Sequence, residues 1–357
     1  EDEGEDEGEG EDEDEGANEA AWREHLRLRS ARDDDARFPD EVDTPLDRAA
    51  RQRFARYRGL KSLRSSPWHP QENLPLEYAR IYQFENWPLI QREALEADAD
   101  AFDEASCAPV GAYVRITLAV PARDFTALYE ARGAPLVLSA VNAHENRLTV
   151  VHFTLCLTAA AEREELTLRG KAPLLLHAGF RKLVTKPIFS EDNRRSQKHK
   201  LERFLQPGRQ CVATVYAPAL YGPAPVLAFL PASDESAPAL TGVPVACGSL
   251  LGVDANRIIL KKIVLTGHPF RCHKKKAVVR WMFFNPEDVR WFKPIELNTK
   301  FGRKGHIRES LGTHGYMKCY FDGTMVQHDT VCMALYKRAF PKWAGTSYRL
   351  CASEQPD

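Results

Sequence analysis

The sequence predicts a mainly β protein carrying a small α/β domain. Between residues 166 and 336, ten short apolar segments alternate with Gly-, Pro- and charge-rich turns, the spacing of a β-barrel or sandwich. Residues 111–157 read instead as strand, helix, strand and strand, a small α/β layer. A hydrophobic fraction of 43% and an aromatic fraction of 10% over 357 residues supply cores for two or three domains.

Taken in order, residues 1–16 hold twelve carboxylates and no base, so they repel one another and predict a disordered acidic segment. A short helix over 19–32 is broken by the aspartates at 33–35. Thr44 as N-cap with Pro45 at the first helical position predicts an Arg-rich helix over 46–57, ended by Gly59. Residues 61–88 interleave prolines with Trp68, Tyr78, Tyr82, Phe84 and Trp87, which reads as an extended arm with a strand at 78–84. The acidic, Ala-rich stretch 91–107 reads as a linker. The α/β layer has strands at 111–120, 136–142 and 147–157 and a helix at 121–132. The later strands fall at 166–168, 174–176, 180–184, 211–216, 226–230, 245–253, 258–265, 277–284, 316–321 and 330–336, with a helix at 198–205 and a turn at Asp322-Gly323. Residues 344–357 should fray. These elements divide the chain into an acidic insertion (1–37), an arm and linker (38–107), the α/β domain (108–164), a C-terminal barrel (165–343) and a tail.

The charge pattern narrows the function. The net charge is −1, and removing the −12 of residues 1–16 leaves +11 on the rest, the asymmetry of a chain that meets nucleic acid. No apolar run approaches the roughly 20 residues of a membrane-spanning helix. The eight cysteines are irregularly spaced and form no Cys-x-x-Cys pair, which favours a reducing compartment over a disulfide framework. The phosphate-wrapping pattern G-x-x-x-x-G-K-[ST] is missing, His268, Cys272, His273, His306, His314 and Cys319 lack zinc-finger spacing, and no Ser or Cys nucleophile is singled out. No catalytic residue, metal or cofactor is assigned.

Nucleic-acid binding has the best support. Residues 257–308 contain fourteen Lys and Arg against three carboxylates, a surplus of +11. Such a patch would bind phosphate with strong salt dependence. The candidate contacts are Lys274, Lys275, Lys276, Lys300, Arg303, Lys304 and Arg308, with His306 and His314 as weaker members. Gly302 and Gly305 would let the backbone approach a phosphate. Phe301, between Lys300 and Gly302, is the aromatic expected to be exposed and able to stack on a base, whereas Trp281, Phe283 and Phe284 read as core.

The segments FPDEVDTP (38–45), RYRGLKSLRSSPW (56–68), ENLPLEYARIYQF (72–84), GHPF (267–270), AVVRWMFFNPEDVRWFKPIELNTKFGRKGHIRESLGTHGYMKCYFDG (277–323) and LYKRAFPKW (335–343) together resemble the Tsr/Bms group of eukaryotic ribosome-assembly factors, and the Tsr branch most closely. Residues 272–276 and Asn298 depart from the family's pattern. The resemblance implies an architecture like that of a translational GTPase, of which this chain would be the β-barrel part without the G domain. It further implies a non-enzymatic scaffold on the pre-small (40S) subunit, acting during rRNA processing in the nucleus and nucleolus and able to accompany the particle to the cytoplasm. Its partners would be pre-small-subunit rRNA, small-subunit ribosomal proteins and other assembly factors. It would be a monomer within the particle, with no membrane contact. Two alternatives stand beside this: the C-terminal part of an active assembly GTPase, and a protein-docking module whose basic face meets acidic partners.

Overall fold

A computed structural model describes residues 9–100, 108, 111–117, 119, 121, 125, 141–179, 181–193, 196–231, 243–312 and 314–343. The described chain is mainly β, as the sequence predicts. Its strands are β1 (Leu148–Leu157), β2 (Leu174–Ala178), β3 (Arg181–Thr185), β4 (Ile188–Ser190), β5 (Lys198–Glu202), β6 (Cys211–Pro218), β7 (Pro225–Phe229), β8 (Ala246–Val253), β9 (Ile258–His273), β10 (Lys276–Arg280), β11 (Leu297–Thr299), β12 (Lys304–Ser310), β13 (Met317–Phe321) and β14 (Val331–Arg338). Helices are few: α1 (Glu9–Arg37), α2 (Ala50–Arg53), α3 (Trp87–Asp100), α4 (Ala159–Arg163) and α5 (Pro286–Phe292).

Six strands close into a barrel. β9 pairs with β10, β10 with β13, β13 with β12, β12 with β11, β11 with β14, and β14 returns to β9. Closure leaves these strands no free edge. Their side chains alternate, so that Ala277 and Val279 of β10, Ile307 of β12 and Met317, Cys319 and Phe321 of β13 point inward. The intervening residues of β12, His306 and Arg308, face solvent. α5 caps this core, with Phe292 stacked on Phe283 at 5.1 Å and an interplanar angle of 6°.

The other eight strands form a sheet in the order β5-β4-β6-β1-β8-β7-β2-β3, joined to the barrel through the parallel pair β5–β9. β6 is buried along its whole length because both its faces are covered. Val151, Phe153 and Leu155 of β1 enter one core with Leu176, Val215 and Val226. On the reverse face Val150 and Tyr216 pack against Tyr78 and Ile81 of the arm, with Phe340 and Trp343 alongside.

Several sequence expectations are corrected. β1 is the strand expected over 147–157, yet it lies at the centre of the larger sheet between β6 and β8 and not in a separate α/β layer. Residues 111–117 carry no ladder, and the remainder of that layer falls almost wholly outside the described residues. The helix expected at 198–205 is strand β5, because the slot between β4 and β9 overrides the helix-forming composition. Residues 166–168 form no ladder; the neighbouring Arg169 makes a single bridge, to Phe204. The arm forms a 3₁₀ turn, Leu76–Arg80, after Pro75, where a strand was expected at 78–84.

Residues 91–100 of the expected linker belong to helix α3, which begins at Trp87. α1 starts at Glu9, inside the acidic run, and passes through Asp33–Asp35 without breaking, with Asp35 held by Arg203 at 3.1 Å. The helix expected over 46–57 shrinks to α2. Thr44 does not cap it; its hydroxyl donates to the Met282 carbonyl at 2.7 Å. The cap comes instead from Asp288 of α5, which accepts the Ala50 N–H at 2.8 Å and the Arg51 N–H at 3.3 Å. A carboxylate more than two hundred residues away cannot be read from local spacing.

Candidate nucleic-acid interface

The barrel gathers seven of the ten predicted contact residues at one end. The β9–β10 hairpin turns over Lys274 and Lys275, with Lys274 at φ 52°. The Phe321 N–H donates to the Lys275 carbonyl and the Met325 N–H to the Lys274 carbonyl, both at 2.8 Å. The turn is thereby tied to the start of the 322–330 loop, and the side chains of Lys274, Lys275 and Lys276 are exposed. Lys276 stands opposite Tyr320, and the next residue, Phe321, stands opposite Gly305. This register brings the 300–303 turn and Lys304 to the same end of the barrel.

That turn is tightly held. The Gly302 N–H donates to the Thr299 carbonyl and the Thr299 N–H to the Arg303 carbonyl, both at 2.9 Å. Gly302 sits at φ 82°, in the left-handed region that suits glycine. Lys300 is exposed and reaches Glu41 at 3.1 Å, and Lys304 reaches Glu296 at 3.4 Å. Phe301 is 60% exposed, with only an edge contact to His328 at 5.7 Å. Arg303 is half-buried, with its Nη1 shielded. Backbone register alone explains these positions.

 A hollow of about 440 Å³ beside β12 is lined by Glu296, Lys304, His306 and Tyr320.

Of the other three candidates, His306 borders this end: on the outer face of β12 it stands opposite Tyr320, level with Lys276, and leans on that ring at 6.1 Å, while Arg308 lies farther along the strand. Arg308 sits at the bulge between Ile307 and Glu309. His314 belongs to the loop between β12 and β13, at the opposite end of the barrel, with φ 45°.

Sequence reasoning misplaced Trp281. Expected in the core, it is 53% exposed at φ 68°, while Met282 and Phe283 after it are fully buried. Lys261 and Lys337, directly opposite on β9 and β14, were also not singled out. Burial, then Arg203, Lys171 and Lys337 nearby, pulls the Lys261 ammonium below its ordinary pKa. Among the described residues no three His, Cys, Asp or Glu side chains are grouped to hold a metal ion.

These features define a barrel-built β protein with a cationic end. Its family is shown by comparison: residues 42–341 match the family described as 40S ribosome biogenesis protein Tsr1 and BMS1 C-terminal, and the chain belongs to that family. The human protein named pre-rRNA-processing protein TSR1 homolog is 45% identical over 311 residues, covering 87% of this chain and 37% of that protein. Its Xenopus laevis counterpart is 46% identical over 312 residues, with the same shares, and that of Drosophila melanogaster 45% over 324 residues, covering 90% and 38%. The chain thus spans under two-fifths of the length of these relatives. Among solved structures, apo translation elongation factor SelB from Methanococcus maripaludis is similar at a TM-score of 0.42 and 14% identity, covering 54% of this chain and 42% of that one.

Proposed function

We propose that this chain is a non-enzymatic rRNA-binding part of an assembly factor for the pre-small (40S) ribosomal subunit, acting as a scaffold during rRNA processing in the nucleus and nucleolus. The observation that carries the reading is the convergence of Lys274, Lys275, Lys276, Lys300, Arg303 and Lys304 on one end of a closed barrel, from two separate stretches of chain. Cations on rigid, tied turns meet phosphates without first being ordered, which lowers the cost of binding. Membership of a family described by 40S ribosome biogenesis supplies the class of particle. Small-subunit ribosomal proteins and other assembly factors are the accompanying partners.

The test is co-sedimentation with pre-small-subunit particles. Charge reversal of Arg303 and Lys304 to Glu, and separately of the outward-facing Lys274 and Lys275, should release the protein into the soluble fraction while leaving its melting temperature near that of wild type. If both double variants sediment as wild type does, the assignment is wrong. Crosslinking then discriminates further: RNA crosslinks within residues 271–308 support RNA binding, whereas crosslinks there only to protein support a docking module.

A further inference from the structure

The stem of the β9–β10 hairpin carries side chains that neither the barrel core nor the cationic end uses. At Trp281 the chain adopts φ 68°, a conformation that costs a residue with a Cβ free energy. The turn sends the indole outward, leaving it 53% exposed, while Met282 and Phe283 stay inside. The Arg280 guanidinium lies 3.9 Å from the Trp281 ring centroid and 4.7 Å from that of Phe270. Phe270, 38% exposed, stacks on Tyr316 at 6.1 Å and 19°. His268 meets Trp281 edge-on at 5.5 Å.

The pairing explains how these rings share a face. Val278 stands opposite Arg271 and Val279 opposite Pro269, so Phe270 is the extra residue of a bulge and is turned out of the ladder. The result is a ladder of Trp281, Arg280, Phe270 and Tyr316 on the outer wall of the barrel. Arg280 Nε is buried there and has no hydrogen-bond partner among the described residues. A strained backbone, an exposed indole and an unpartnered guanidinium nitrogen thus coincide on a stem whose tip bears Lys274, Lys275 and Lys276.

We propose that this stem is a stacking site for unpaired nucleotides of RNA, an inference that rests on the RNA-binding reading above. Trp281 is the platform, Arg280 holds the ring in place and supplies positive charge, and the tip lysines take the adjoining phosphates. Aromatic faces and guanidinium planes accept any base by stacking, and the lysines on the same hairpin match a phosphodiester backbone better than an apolar protein segment.

The full chain is titrated by fluorescence anisotropy with an unpaired oligopyrimidine RNA and with an RNA duplex of equal length. The variants are Trp281→Gly, Trp281→Phe and the Lys274→Glu/Lys275→Glu pair. Glycine accepts the left-handed backbone, so Trp281→Gly deletes the ring without adding strain. The expected result is a roughly tenfold loss of affinity for the unpaired RNA in Trp281→Gly, the scale of one lost stacking contact. Duplex affinity should be unchanged, and Trp281→Phe should restore most of the loss. Equal affinity of Trp281→Gly and wild type for the unpaired RNA would overturn the stacking site, as would an equal loss for both RNAs. If the lysine pair weakens both RNAs while Trp281→Gly weakens neither, the stacking site falls and the RNA-binding reading stands. If wild type binds neither RNA, both fall. Loss of particle association by Trp281→Gly with RNA affinity intact would assign the face to a protein partner and overturn the proposal.

Discussion

The larger sheet and the closed barrel are both built of antiparallel ladders, but they dispose of their polar groups in opposite ways. β1 and β6 are covered on both faces, so a polar side chain there must find its partner inside the protein. His152 does so twice. Its Nε2–H donates to the Asp254 carbonyl at 2.8 Å, which leaves Nδ1 to accept from the Thr214 hydroxyl at 2.9 Å. In the barrel, β12 and β13 alternate, and their outward residues stay in water. Covering both faces gives a sheet that holds the arm and the core in place. Covering one leaves an outer wall and an open end free to meet a ligand.

The comparison can be broken at the point where the barrel depends on the N-terminal arm. Asp288 is 1% exposed, and besides the two α2 amides it takes the Arg51 guanidinium at 3.0 Å. Asp288→Ala leaves two backbone N–H groups and part of a guanidinium unpartnered, at a cost of about 2–3 kcal/mol. The loss should appear in denaturant unfolding, and amide exchange should rise first in α2 and α5. If α2 exchanges no faster in the variant, the arm is held by its apolar contacts and not by this cap.

A smaller effect tests the sheet. Burial first, and then the nearby Arg257 charge, hold His152 at a pKa of about 3 against an ordinary 6.5. The folded chain therefore refuses a proton that the unfolded chain accepts below about pH 6.5. Stability is full above that value and falls as the pH drops toward about 3, by roughly 1.4 kcal/mol per pH unit for this one side chain. His199, lowered to about 4 mainly by burial, adds to the same window. His152→Gln should flatten the decline between pH 6 and 4, measured as urea midpoints. An unchanged slope would place the acid sensitivity elsewhere.

How much of this was legible in the sequence follows the same division. Alternating or wholly apolar strands were visible at 174–176, 211–216, 226–230, 245–253, 258–265 and 330–336, because their pattern reflects their own burial. β11 and β12 were not, since Lys304, His306 and Arg308 mask the inward Gly305 and Ile307 when read one by one. β5 and the Asp288 cap depend on partners far along the chain. The cationic residues were visible as composition, but only the register separates those at the barrel end from Arg308 and His314. Trp281 shows the limit most clearly: an apolar run of Trp281, Met282, Phe283 and Phe284 reads as core, and the left-handed backbone at Trp281 has no signature in residue type.

The smallest expected effect sharpens the contrast between holding and meeting. Lys300 pairs with Glu41, but their side chains are 54% and 27% exposed, so the ion pair is screened and contributes at most about 1 kcal/mol. In the buried sheet a lost polar partner strands another; at the barrel end it returns Glu41 to water. Lys300→Ala should therefore leave the denaturant midpoint almost unchanged. Its effect should appear in binding: if Lys300 exchanges Glu41 for a phosphate, the slope of log affinity against log salt becomes shallower by about 1, across RNA sequences alike. A variant that lowers the midpoint while keeping the salt slope would show that Lys300 serves the fold, and would remove it from the RNA-binding end.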